Sequence, residues 1–244
     1  MNKRKVSILI ILLLLKVGLT IYLAGPIGYV LNGGAELPDP TGVYDVGRMR
    51  VAVVDELREE IFTEEQGDKR EIVLSIFYPA QIESEMSVSR YTEATGWQSV
   101  DGVPAFLVSP VTPNFVNEAP AVEARFPVLL FGAGFAGPIN YYTMLIEELV
   151  SLGHIIVAVE HPYHFSEVYF PDGRIVQGND FGLAEEAYDT EEHKEQISAV
   201  LVDDMRFALD VAEGLNEADA LLAGRFDMSR VGAVGHSLGG LTVS

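Results

Sequence analysis

Buried-strand and helix patterns alternate through the second half of the chain, and this order restricts its fold more than any other feature. Short apolar runs at Pro127–Phe131, Ile155–Val159 and Arg230–Val234 predict strands. Apolar residues at helical spacing lie between them, over Tyr141–Leu152 and Lys194–Leu215. Strands and helices that alternate in this way form parallel βαβ units. We therefore predict an α/β fold, with a mostly parallel sheet and helices on both faces.

Two further strands are predicted in the first half of the chain. Val46–Val54 and Glu71–Tyr78 carry alternating apolar residues on either side of a charged loop, so they suit an antiparallel pair at the start of the sheet. The irregular, proline-containing region 82–125 is predicted to be a surface excursion. Further along, Phe170–Arg174 (FPDGR) predicts a tight turn in a small hairpin.

The first residues of the chain have the composition of an export signal. A basic start, Lys3–Lys5, precedes the apolar run Val6–Leu15. Lys16 interrupts this run, after which apolar character resumes as far as Gly25, and the whole stretch is about long enough to span a bilayer. The basic start would stay cytoplasmic. Residues 1–30 are therefore predicted to be a signal anchor or a cleaved signal peptide, with the folded body exported and either membrane-anchored or secreted.

Composition divides the remainder of the chain and limits its partners. Residues 31–45 are rich in Gly, Pro and Asp, which predicts a solvated linker, and one folded domain is predicted over residues 46–244. Acidic residues number 36 against 16 basic ones, for a net charge of -20. A field of that sign repels nucleic acid, so no nucleic-acid partner is predicted. The sequence has no cysteine, which removes disulfides and a thiol nucleophile.

The pentapeptide Gly235-His236-Ser237-Leu238-Gly239 has the pattern G-x-S-x-G and carries the clearest chemical signal. It stands after a predicted strand and before a helix-compatible segment. A sharp strand-to-helix turn presents the serine hydroxyl, and the two glycines prevent clashes of the neighbouring backbone. The Leu238 amide lies where an oxyanion would form. We predict Ser237 as a nucleophile; the alternative is an ordinary glycine-rich turn.

A second oxyanion donor is expected from the loop after an earlier strand. The glycine-rich run Gly132–Gly137 (GAGFAG) follows the strand predicted at Pro127–Phe131. Phe135 is the predicted donor, through its backbone N–H. The alternative is a tight turn with no catalytic part. This run lacks the Lys-Ser/Thr ending of a phosphate-binding loop.

Five histidines are available, but none is a good candidate for the general base. His236 adjoins the nucleophile, and side chains on either side of such a turn diverge. His161 and His164 follow a predicted strand at the edge where parallel sheets bind ligands, so we predict that they line the site. With Glu160 they invite a metal site. Pro162 breaks the helix that would align the two rings, so no metal is predicted.

Several linked segments resemble those of one known family. In chain order they are LPDPTGVYDVG, IFYPA, FPVLLFGAGFAGP, IIVAVEHPYH, FPDGRIV, DDMRFALD and GRFDMSRVGAVGHSLGG. Over roughly residues 37–244 they are similar to bacterial relatives of platelet-activating factor acetylhydrolase, of the plasma or type II kind. The resemblance implies an α/β-hydrolase that cleaves short or oxidised acyl chains from phospholipids without a metal or cofactor. It implies Ser237 as nucleophile and Phe135 and Leu238 as oxyanion-hole donors. Relatives usually have His-Gly where this chain has Ala133-Gly134.

The triad acid and histidine follow the serine in chain order in this fold, whereas the sequence stops at Ser244. We therefore expect the α/β-hydrolase domain to be incomplete at the C-terminus and this polypeptide alone to be inactive. In the complete protein the expected mechanism is two-step acyl transfer from an ester or phospholipid. The alternatives are a general carboxylesterase or polyester hydrolase, and a non-catalytic binding protein with a hydrolase fold.

Overall fold

The structure is a computed structural model that describes residues 13–17, 34–100, 102–108, 110–179 and 190–243. The strands are β1 (Ala35–Glu36), β2 (Asp45–Glu59), β3 (Lys69–Ala80), β4 (Ser99–Val100), β5 (Val103–Pro104), β6 (Val111–Thr112), β7 (Phe115–Asn117), β8 (Phe126–Gly132), β9 (Ile155–Glu160), β10 (Glu167–Tyr169), β11 (Ile175–Gln177) and β12 (Phe226–Gly235). The helices are α1 (Ala105–Val108), α2 (Thr143–Ser151), α3 (Glu191–Ala218) and α4 (Leu238–Thr242), with a 3₁₀ helix at Ile139–Tyr142.

In the described part of the chain, six strands form one mixed sheet in the order β12-β8-β9-β3-β2-β7. β8 runs parallel to both β9 and β12, as the βαβ pattern predicts. β3 is antiparallel to β9 and to β2, which confirms the predicted antiparallel pair. β10 and β11 form the predicted small hairpin around the turn at residues 170–174. The predicted α/β-hydrolase type of fold is therefore confirmed.

Helices cover both faces of this sheet, and the sheet separates the core into two clusters, one on each face. On one face, Ile146 and Val150 of α2 pack with Phe77 and Ile156 of the sheet. On the other face, the buried apolar residues of α3 recur at three and four residue steps, as the sequence predicts. They are Ile197, Leu201, Met205, Ala208 and Ala212. The central strand β9 (IIVAVE) is uniformly apolar until its last residue because both of its faces are covered.

The region 82–125 is more than the predicted surface excursion. Its strand β7 joins the main sheet beside β2, and Phe115 in that strand is 1% exposed. The Arg48 guanidinium lies over the Phe115 ring, 4.4 Å from its centroid. Ala94 and Ala105 form a small separate core. A strand of three residues is too short to show a period, so sequence reasoning missed it.

The described residues of the predicted linker are attached to the domain. The Ala35 N–H donates to the Pro110 carbonyl, and the Val43 and Tyr44 N–H groups donate to the Ser151 carbonyl. Most of these residues are nevertheless exposed, and the division of the chain into linker and domain stays a prediction. The signal prediction for residues 1–30 lies largely outside the described residues. Within those residues, no helix combines the length and apolar character that crossing a bilayer requires.

Candidate active site

Ser237 lies on an abrupt turn between β12 and α4. Its backbone has φ 53° and ψ -119°, a left-handed φ that a residue with a side chain seldom adopts. Strained positions of this kind concentrate at functional sites because the surrounding structure must hold them in place. The adjacent His236 N–H donates to the Gly132 carbonyl at 3.1 Å, which fixes the turn against the end of β8. Ser237 itself is exposed.

The two glycines of the pentapeptide are required by close backbone contacts. A Cβ on Gly239 would stand 2.1 Å from the Gly132 carbonyl oxygen, and a Cβ on Gly235 would stand 2.3 Å from the Gly239 carbonyl oxygen. No side chain fits at either distance. The turn that carries Ser237 therefore packs directly on the backbone of the glycine-rich loop, residues 132–137, which we call the oxyanion loop.

Tyr142 joins the oxyanion loop to the residue before Ser237, and sequence reasoning did not identify it. The Gly134 N–H donates to the Tyr142 hydroxyl at 3.0 Å. That hydroxyl lies 3.0 Å from Nδ1 of His236, so its own hydrogen is available to the ring. Gly134 leaves room for this arrangement, because a Cβ there would stand 2.9 Å from the same Nδ1. His236 is thus engaged with the loop.

The two predicted oxyanion donors lie on these same elements. Phe135 is in the oxyanion loop with its side chain 40% exposed. The next residue, Ala136, has φ 54°, and its carbonyl accepts from the Ser166 hydroxyl at 3.1 Å. Leu238 is the first residue of α4, where a backbone N–H has no intrahelical carbonyl to donate to. The catalytic roles of Phe135 and Leu238 remain predictions.

His161 and His164, predicted to line the site, are both buried, and their lining role stays a prediction. They are 3% and 2% exposed. The His164 ring packs edge-on against Phe135, with ring centroids 5.5 Å apart. Nδ1 of His161 lies 2.8 Å from Oδ2 of Asp204. Both residues follow β9 as expected, with the His161 ring against a carboxylate and the His164 ring against an aromatic ring. Within the described ranges, no group of three or more His, Asp or Glu is placed to hold a metal.

His161 belongs to a buried ionic cluster of Glu60, Arg70, His161 and Asp204. The Arg70 guanidinium donates to both Asp204 carboxylate oxygens, at 3.1 and 2.6 Å, and to Glu60 at 2.9 Å. Burial raises the pKa of Asp204, but Arg70 and His161 outweigh this and hold that pKa well below its usual range. Arg70 also donates to the Pro162 carbonyl. The cluster therefore fixes the segment that joins β9 to His164 against β3 and α3.

Comparison with known proteins supports the same fold. No protein-family model matches the chain. Platelet-activating factor acetylhydrolase from Cavia porcellus is 28% identical over 197 residues, which covers 70% of this chain and 45% of that protein. A ferulic acid esterase from Streptomyces cinnamoneus has a TM-score of 0.70 and 26% identity, covering 86% of this chain and 57% of that one. The chain thus spans about half the length of each relative. It is an α/β-hydrolase by fold that resembles platelet-activating factor acetylhydrolase in sequence and an esterase in structure.

Proposed function

We propose that the chain carries the nucleophile of a serine ester hydrolase and that Ser237 is this nucleophile. The observation that carries the proposal is the left-handed backbone of Ser237, held between a parallel strand and a helix with its side chain exposed. A serine presented in this way can approach an ester carbonyl while the helix N-terminus behind it favours negative charge. The resemblance to an acetylhydrolase and an esterase supports the same chemistry.

The mechanism we propose is acyl transfer in two steps. The Ser237 oxygen attacks the ester carbonyl carbon, and the N–H groups of Phe135 and Leu238 donate to the oxyanion. Collapse of the tetrahedral intermediate expels the alcohol and leaves the acyl group on Ser237, and water then hydrolyses that ester. In this fold the general base is usually a histidine that follows the serine in chain order. Two histidines of the chain have other partners: His161 contacts Asp204, and His236 contacts the Tyr142 hydroxyl.

The proposed substrate is a short or oxidised acyl ester of a phospholipid, supported by the resemblance to platelet-activating factor acetylhydrolase. Esters of an aromatic acid are a second candidate, supported by the likeness to a ferulic acid esterase over 86% of this chain. Comparing kcat/KM for an oxidised phosphatidylcholine, p-nitrophenyl acetate and methyl ferulate distinguishes the two. The acetate ester reports hydrolase activity itself, whichever of the other two is preferred.

Attachment to a membrane through residues 1–30 also remains a proposal. It would keep the domain beside lipid substrate on the exported side. Expression of the chain with and without residues 1–30, followed by separation of membrane and soluble fractions, tests it. A signal anchor requires that the full chain sediments with membranes and that the shortened chain does not. Equal distribution of the two would refute both the anchor and its use in bringing substrate close.

The nucleophile is tested with a fluorophosphonate probe, which labels only activated serines. Labelling should be performed on the 244-residue chain and on the longest form of the protein that its natural source produces. In that natural form we expect labelling and acetate ester hydrolysis that both disappear in Ser237→Ala, while Ser229→Ala leaves them unchanged. Absence of Ser237-dependent labelling in the natural form would overturn the proposal and favour a binding protein.

A further inference from the structure

The part of the oxyanion loop that carries Phe135 is a tight turn with an unfavourable backbone. The Gly137 N–H donates to the Gly134 carbonyl at 3.1 Å and closes the turn, with Phe135 and Ala136 at its centre. Ala136 has φ 54°, at a position where turns with a left-handed φ normally have glycine or asparagine. An alanine keeps this conformation only when its surroundings hold it there. The contacts of Ala136 therefore decide the shape of the turn.

These contacts come from the segment after β9, residues 161–166. The Ser166 hydroxyl donates to the Ala136 carbonyl at 3.1 Å, and the Ser166 N–H donates to the same oxygen at 3.4 Å. Ala136 also forms a parallel β-bridge with Phe165. The bond from the hydroxyl is the shorter of the two, and a substitution can remove it without altering the backbone.

The segment that carries Ser166 is itself firmly attached to the domain. Phe165 is 1% exposed, and its N–H donates to the His161 carbonyl at 3.0 Å. Arg70 of the ionic cluster donates to the Pro162 carbonyl at 3.3 Å. Ser166 is therefore a fixed point against which the oxyanion loop is held.

Phe135 lies between two peptide groups that are held in place. On one side the Gly134 N–H donates to the Tyr142 hydroxyl, and on the other the Ala136 carbonyl accepts from Ser166. We propose that Ser166 is a positioning residue for the oxyanion hole. Its hydroxyl holds Ala136 in the left-handed conformation and so keeps the Phe135 N–H directed at the oxyanion. The inference rests on the proposed function, because it assigns Ser166 a part in the proposed ester hydrolysis.

The part of Ser166 in the reaction is tested by Ser166→Ala in the natural form, with p-nitrophenyl acetate as substrate. Both tetrahedral intermediates use the same N–H donors, so acylation and deacylation should slow together. After fluorophosphonate labelling to completion, kcat per labelled serine should be lower by about tenfold or more, with KM changed less than about twofold. Removal of a donor itself would cost roughly 100-fold or more. Loss of folded protein alone would reduce the number of labelled serines and leave kcat per labelled serine unchanged.

Further variants separate the hydroxyl from other causes. Ser166→Thr keeps the hydroxyl, and the adjoining cavity of about 60 Å³ has room for the added methyl group, so kcat should stay near that of the unaltered protein. Adding Ala136→Gly to Ser166→Ala should recover most of the loss, because glycine adopts a left-handed φ without steric cost. Ser75→Ala is the matched control. Ser75 lines the same cavity, but its hydroxyl donates to Glu160 at 2.7 Å, so kcat per labelled serine should not change.

Hydrogen exchange distinguishes failure of this inference from failure of the proposed function. The Gly137 N–H closes the turn, so its exchange in the natural form should quicken about tenfold in Ser166→Ala and stay slow in Ser166→Thr and Ser75→Ala. Unchanged exchange at Gly137 in Ser166→Ala, or unchanged kcat per labelled serine in an active natural form, would overturn the inference. Quicker exchange in a natural form that shows no Ser237-dependent hydrolysis would overturn the proposed function and, with it, the role of Ser166 in the reaction.

Discussion

The centre of the sheet and the edge that carries Ser237 are built from similar residues but are held in different ways. In β3 and β9 almost every residue is buried. In β12 only the first residue is buried, and Val231 is 39% exposed. Burial of apolar surface stabilises the centre, at about 25 cal/mol per Å². Much less of that energy is available at the edge, where backbone contacts between glycines determine the position of Ser237.

The difference separates two kinds of contact. A reactive group must meet substrate, and Ser237 stands on a turn at the end of its strand, where it is exposed. The centre also contains the ionic cluster, which crosses from β3 to α3 and reaches the segment carrying His164. The position of Ser237 then depends on a few short backbone contacts. Removing one of them should affect the reactivity of Ser237 more than the stability of the whole protein. The following predictions test this division, beginning with the largest expected effect.

Removing Asp204 should destabilise the protein more than any other single change considered. Asp204→Ala leaves the fully buried Arg70 guanidinium without its main partner, and loss of one member of a buried pair costs about 3–5 kcal/mol. Asp203→Ala is the matched control, because this neighbour is 46% exposed and pairs with Arg206 on the surface. Its expected effect is below about 0.5 kcal/mol. Urea unfolding measures both, and equal losses would show that the cluster does not stabilise the centre.

The same cluster should make stability depend on acid pH. The pKa of Asp204 is depressed in the folded protein, so its contribution is complete above the ordinary carboxyl pKa of about 3.9. It is lost as pH falls from there toward the lower folded value. We expect the unfolding free energy to decrease below about pH 4 and this decrease to be smaller in Asp204→Asn. Asp203→Asn should retain the full slope; a slope unchanged in Asp204→Asn would contradict the prediction.

These residues also show what sequence reasoning can and cannot reach. Strands, helices and the Ser237 turn follow from periodicity and local pattern, because each signal lies within one segment. The partner of Asp204 lies 134 residues away, and nothing in the helix pattern distinguishes Asp204 from Asp203 except its place on the apolar stripe. Its position one residue before buried Met205 is the signal that could have found it. Tyr142 gave no such signal, since its role depends on how two loops meet.

At the edge, Gly239→Ala should displace the turn that carries Ser237. Its Cβ would stand 2.1 Å from the Gly132 oxygen, which is backbone and cannot rotate away. Overpacking of this kind costs about 1–3 kcal/mol. In the natural form, the rate at which a fluorophosphonate labels Ser237 should fall by a larger fraction than the free energy of unfolding does.

Gly240→Ala is the control for that substitution. The nearest atom to a Cβ at Gly240 is the Gly235 oxygen at 3.4 Å, an ordinary contact. We expect near-normal stability and labelling, because alanine also favours the helix. If both alanine variants retained labelling, the glycine contacts would not determine the position of Ser237. The proposed account of the sheet edge would then be wrong.

The smallest effect is expected from Tyr142→Phe, which removes one hydroxyl between the oxyanion loop and His236. The Gly134 N–H loses its acceptor, but the site is near solvent and water can replace it, so about 0.5–1.5 kcal/mol should be lost. Tyr44→Phe is the control, since the Tyr44 hydroxyl makes no hydrogen bond within the described residues and its ring packs on Phe126. The informative measurement is the labelling rate of Ser237 in the natural form. A loop held by this hydroxyl predicts slower labelling in Tyr142→Phe alone, because the oxyanion donors would sample more positions. Equal rates in both variants would mean that the glycine contacts are sufficient to position the loop.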